Sequence, residues 1–137
     1  MIVFISCVKQ KRGVSCAARD MYTSDLFKKS LAYAKQLRPR KVYILSAKYG
    51  LLELDDLIKP YNQTLNEISE DKRKAWAYKV CKQCEAKGIS YDEEAVFLSE
   101  NNYRKYLMQK FRNSTAPLCD KKIGEQLSFY KVNIARK

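Results

Sequence analysis

At 137 residues with 46% apolar content, the chain can bury one core but is too short for two, so a single ordered domain is expected. Its 27 Lys and Arg against 15 Asp and Glu give a formal net charge of +12. There is no histidine, which excludes Ser-His and Cys-His nucleophile pairs and leaves acid–base chemistry to Asp, Glu, Lys, Tyr, Cys or water.

The elements follow in chain order. Ile2 to Ser6 is short, apolar and β-branched, the pattern of a buried strand rather than of a secretion leader. The basic loop Cys7-Val8-Lys9-Gln10-Lys11-Arg12-Gly13 comes next. A helix is predicted from Ser24, with Asp25 in its first turn, to Leu37, where Pro39 stops it. Lys41 to Leu45 reads as a second strand that runs into Ser46-Ala47-Lys48-Tyr49-Gly50-Leu51-Leu52. An acidic, irregular stretch leads to Pro60-Tyr61-Asn62. Ser69-Glu70-Asp71 caps a long helix whose inner stripe is Trp76, Val80 and Cys84, with Gly88 after its end. Glu94 to Leu98 is a third strand, followed by a helix from Asn101 to Phe111 and a loop with Pro117. The last helix carries Ile123, Leu127, Tyr130 and Ile134 as an apolar stripe.

Strands separated by helices imply right-handed crossovers. The expected fold is therefore an α/β three-layer sandwich, residues 1–137, with a mainly parallel sheet flanked by helices. Ligands of such sheets bind outside the carboxyl ends of the strands. Two polar segments, Ser6-Cys7-Val8-Lys9 and Ser46-Ala47-Lys48-Tyr49-Gly50, follow directly on strands and so point to one crevice.

Charge is uneven. Residues 1–50 hold 11 basic and 2 acidic side chains, residues 51–100 hold 7 and 11, and residues 101–137 hold 9 and 2. A basic surface gains counterion-release entropy on meeting phosphates, so nucleic acid is the expected partner, DNA ahead of RNA. No apolar run approaches the roughly 18 residues of a bilayer span, and no polybasic tail or lipidation signal stands beside the lysines. A cytoplasmic chain with no membrane partner is expected. The five cysteines, Cys7, Cys16, Cys81, Cys84 and Cys119, are irregularly spaced, as suits reduced thiols. Cys81 and Cys84 share a helix face with Trp76 and Val80, where thiols behave as small apolar groups. Without histidine or a second CxxC, neither a metal site nor a cofactor is expected.

The block Leu45-Ser46-Ala47-Lys48-Tyr49-Gly50-Leu51-Leu52, followed by Asp56, Ile58, Pro60 and Tyr61, resembles a signature of a little-characterised bacterial and phage domain family. It is also similar to a segment of the YaaA peroxide-stress proteins, which are implicated in DNA binding. Lys48 and Asn62 stand where the YaaA proteins carry other residues. Ser6-Cys7 with Lys9 and Lys11, Ala17 to Tyr22 with Phe27, and Gly124 with Leu127 resemble the smaller family. Both groups look distantly like the uracil-DNA-glycosylase superfamily in architecture, which implies a site at the strand ends and base-directed chemistry.

The residues suit that chemistry by themselves. Gly50 permits a tight turn after a strand. Ser46 and the amides around Tyr49 and Gly50 can bond a base edge, and Tyr49 and Tyr61 offer faces for stacking. Asp56 can orient a water for N-glycosidic cleavage once the nucleotide is rotated out of its stack. Ser6, Cys7, Lys9, Lys11, Lys48 and Asn62 complete the expected substrate contacts. The competing structural reading makes Asp55-Asp56 a turn cap, Gly50 a strand end and Tyr61 a core anchor. The leading expectation is a glycosylase-like hydrolase acting on nucleic acid. A noncatalytic nucleic-acid-binding protein and a small-molecule nucleoside or nucleotide enzyme are the alternatives.

Overall fold

The computed structural model describes residues 1–6 and 11–134. Strand β1 (Ile2–Ser6) is central, and strand β3 (Lys41–Ser46) pairs with it in parallel on one side. Strand β6 (Ala95–Leu98) pairs in parallel on the other side, and the short β7 (Ser114–Thr115) extends the sheet beyond it. Strand β4 (Gly50–Glu53) closes the far edge antiparallel to β3, giving the order β4-β3-β1-β6-β7. Strands β2 (Cys16–Ala17) and β5 (Leu57–Ile58) form a separate antiparallel pair. The mainly parallel α/β sandwich read from the sequence is the observed fold.

Alternation explains why the central strands are apolar throughout. Ile2, Phe4, Tyr43, Leu45, Ala95 and Phe97 point into one core, whereas Val3, Ile5, Val42, Ile44, Val96 and Leu98 point into the other. A sheet covered on both faces buries both phases of its period-two pattern. Helix α3 (Glu70–Ala86) covers the first face with Trp76, Ala77, Val80, Cys81 and Cys84. The second face is covered by α1 (Ala18–Met21), α2 (Asp25–Gln36) and α5 (Ile123–Asn133).

The cap signals hold. Ser24 accepts from Phe27 N and Ser69 from Lys72 N, so each hydroxyl satisfies one of the amides a helix start leaves open. The CxxC pair lies in the core, and burial pushes the Cys84 thiol up to about 12. One helix is shorter than expected. The regular turn of α4 spans Asn101–Arg104, and irregular turns carry the chain to Phe111. Tyr103, Leu107 and Phe111 are nevertheless buried at helical spacing, because those turns keep one face on the sheet. No described helix is long and apolar enough to cross a membrane.

Ion pairs tie the amino ends of the strands together. Lys41 and Lys87 both donate to Glu53, at 2.6 and 2.8 Å, and hold its carboxyl down from 4.5 to about 2. A carboxylate whose folded pKa is depressed stabilises the fold above its unfolded pKa, and that contribution is lost as pH falls towards the folded value. Glu53→Gln is therefore expected to flatten the fall of melting temperature between pH 4.5 and 2. The effect is small, because these groups are partly exposed.

Candidate functional site

The carboxyl ends of the parallel strands form a rim with two neighbouring parts. At the end of β3, the expected recognition loop is instead a locked hairpin. Ser46 is fully buried; its hydroxyl accepts from Tyr49 N at 3.0 Å, and its carbonyl accepts from the Trp76 indole at 2.9 Å. The Gln83 side chain accepts from Leu51 N at 2.8 Å and donates to Tyr49 O at 3.0 Å. The polar groups of Ser46, Tyr49 and Gly50 that were expected to meet a base are thus largely engaged within the protein.

Gly50 holds this hairpin. Its φ of 78° lies in the left-handed region, and an added Cβ would collide with the tethered Gln83 amide. Gly50→Ala is expected to cost about 2 kcal/mol, combining left-handed strain with disturbance of the Gln83 bonds. A lower urea midpoint at unchanged denaturant slope would report it.

The tyrosines are also used structurally. Tyr61 is buried, and its hydroxyl lies 2.6 Å from that of Tyr22. The Tyr49 hydroxyl accepts from Lys59 N at 3.1 Å and bonds Lys59 O at 3.3 Å, while its ring meets Tyr61 edge-on. Lys11 lies 4.7 Å from the Tyr61 ring centre and Lys48 lies 5.3 Å from that of Tyr49. Tyr61 is too buried to offer a base a face, and the Tyr49 ring is engaged in part by its contact with Tyr61. Asn62 is exposed beside this cluster. Cys7 and Lys9 lie outside the described residues.

Asp56 does not lie at the expected crevice. Strand β4 runs antiparallel to β3, so Glu53 opposes Tyr43 and the chain reaches Asp56 at the amino ends of the parallel strands. There its carboxylate accepts from Glu53 N at 2.8 Å, and its backbone N–H bonds Glu53 O at 3.2 Å. It is a turn cap at the end of the sheet remote from Ser6 and Ser46.

The second part of the rim lies where β1 and β6 end side by side. The chain leaves β1 for β3 on one side and later reaches β6 on the other, which makes this the switch point where open α/β sheets bind ligands. A cavity of about 370 Å³ opens there, between the start of α2 and the start of α5. Leu26, Ile123 and Leu127 expose apolar surface to it, over the buried Phe27, Leu98 and Tyr130. Its polar groups include Ser6, which keeps its expected place, and Asn66, Ser99 and Glu100, which the sequence reading did not select.

Glu100 occupies the N-cap position of α4 without capping that helix. Its carboxylate accepts from Asn66 Nδ2 at 3.1 Å and, among the described residues, has no ion-pair partner. Asn102 Nδ2 donates to Asn66 Oδ1 at 2.7 Å, which orients the Asn66 amide so that its NH₂ faces the carboxylate. Glu100 N donates to the Ser6 hydroxyl at 3.4 Å and ties the ends of β1 and β6 together. The buried Ser99 hydroxyl has no hydrogen-bond partner among the described residues. An oriented carboxylate beside an unsatisfied hydroxyl and an apolar wall can hold a small polar ligand and a water.

The fold defines a doubly wound α/β protein with a cavity at its switch point. The chain belongs to the DUF6884 family, a family of unknown function whose model matches residues 2–132. No curated protein matches it.

Proposed function

We propose that the protein binds nucleic acid, DNA ahead of RNA, and acts on a single nucleotide as a glycosylase-like hydrolase, with Glu100 in the role first expected of Asp56. The observation that carries this reading is the Glu100 carboxylate, fixed by Asn66 and free of ion pairing among the described residues, on a largely apolar cavity at the switch point. The net charge of +12 supports a phosphate-bearing partner. The resemblance of the Ser46-to-Tyr61 block to a segment of the YaaA proteins, and the distant likeness of those families in architecture to uracil-DNA glycosylases, support the same class.

In this mechanism the target base enters the cavity against Ile123 and Leu127, while the sugar–phosphate chain stays outside. Water orientated by Glu100 adds to C1′, and the electron pair of the C1′–N bond leaves with the base. The proton released by the water passes through Glu100 to the departing nitrogen. One water is consumed, and a free base and a sugar hydroxyl are produced. An apolar, water-poor wall strengthens the carboxylate's stabilisation of positive charge developing on the sugar.

One observation favours a second reading. Among the described residues, no Lys or Arg lines the cavity, which also suits a free nucleoside. Incubation with nucleosides, single strands and duplexes carrying a panel of modified bases, followed by mass spectrometry of released base, tests both. Release only from polymers supports the nucleic-acid hydrolase, and release from free nucleosides supports the small-molecule enzyme. Binding without any release supports a noncatalytic module.

A further inference from the structure

A second surface lies across the sheet from the switch-point cavity. Lys74, Tyr78 and Lys82 stand at i, i+4 and i+8 on α3 and so share one face of the helix. Opposite them, Tyr106 and Lys110 come from the turns after α4, and a groove of about 540 Å³ separates the two sides. Tyr78 is 65% exposed, an unusual position for so large a ring. Lys82 lies 5.1 Å from the centre of the Tyr78 ring, and Lys74 lies 5.8 Å from that of Tyr106. Glu70 accepts from the Tyr106 hydroxyl at 2.6 Å and fixes that ring. Lys74 and Lys110 have no ion pair among the described residues.

We infer that this groove binds single-stranded nucleic acid, with bases on the Tyr78 and Tyr106 rings and phosphates on Lys74 and Lys110, Lys82 being ion-paired with Glu85 on the groove wall. The inference rests on the nucleic-acid part of the proposed function and not on its hydrolase part. Aromatic faces interleaved with cations are what sequence-tolerant single-strand sites combine, because every base has a face to stack and every nucleotide a phosphate. A duplex keeps its bases stacked inside and cannot use the rings. An acidic peptide would use the lysines and leave the rings idle.

Fluorescence anisotropy of 5′-labelled (dT)₂₀ and of a 20-base-pair duplex, with the full chain, tests this. Tyr78→Ala is expected to weaken (dT)₂₀ binding about 5-fold or more while changing duplex binding less than 2-fold. Tyr78→Phe, which keeps the ring, should restore wild-type affinity. Because Tyr78 stands outside the core, its melting curve should not move. The inference is overturned if Tyr78→Ala binds (dT)₂₀ like the wild type. It is equally overturned if Tyr78→Phe fails to restore binding, or if Lys74→Glu weakens single strand and duplex alike while the ring variants do nothing. Binding of neither oligonucleotide by the wild type overturns the nucleic-acid reading itself.

Discussion

Glu100→Gln is expected to lower the rate of base release by roughly 10²- to 10⁴-fold while leaving melting temperature and nucleic-acid affinity close to those of the wild type. The substitution keeps the shape of the side chain and its ability to accept from Asn66 Nδ2, but removes the charge that takes a proton from water. Little stability should be lost, because Glu100 forms no ion pair among the described residues and does not cap α4. Asp56→Asn is the matched control. It alters a turn cap at the opposite end of the sheet, so it should lower stability slightly and leave base release unchanged. Single-turnover release at saturating enzyme separates chemistry from binding for both variants. Full activity in Glu100→Gln together with loss in Asp56→Asn would return the carboxylate to the far end of the sheet and remove the cavity from the mechanism.

The contrast between these two carboxylates shows what was legible in the sequence. The three central parallel strands and the caps at Ser24 and Ser69 could be read because each rests on local chemistry: apolar runs bounded by polar residues, and hydroxyls poised before a helix. The site block could not be read the same way. Ser46 to Tyr61 is continuous in sequence, but β4 reverses the chain and spans roughly 13 Å at ordinary strand rise. Asp56 is thereby carried away from the rim, and the return through β5 brings Tyr61 back to Tyr49. Leu51 and Leu52 fill opposite faces of the sheet, so a four-residue strand left no alternation by which to see it. The α5 stripe misled differently. Tyr130 is buried in the core, but Ile123 is 52% exposed and lines the cavity with Leu127. An apolar stripe has the same spacing whether it faces a core or a pocket. Glu100 did leave a signal: Ser99-Glu100-Asn101-Asn102 follows directly on the third strand, as Ser6 follows the first and Ser46 the second.

Affinity for nucleic acid is expected to fall by about 10³-fold or more between 50 and 200 mM salt if six or more phosphates are contacted, and this is the other large effect. The cations needed are present and unspent. Asp25, Glu53, Asp55, Glu70, Glu85, Asp92 and Glu93 each hold an ion pair, whereas Lys28, Lys35, Lys72, Lys79 and Lys110 have none among the described residues. Helices α2 and α5 pack together and bring parts of the two basic terminal segments onto one face. On the opposite face α3, within the net-acidic middle segment, still carries five basic side chains against three acidic ones. Each phosphate contact removed should reduce the slope of log K against log salt by about one. Lys28→Glu and Lys35→Glu should therefore weaken binding of all sequences alike and flatten the salt dependence, without changing base release at saturating enzyme. Tyr78→Ala should weaken binding of single strands with the slope intact, because stacking releases no counterions. A slope near zero for the wild type, across DNA and RNA and both strand states, would mean that the +12 charge serves some other end and would leave the free-nucleoside enzyme as the reading of the cavity.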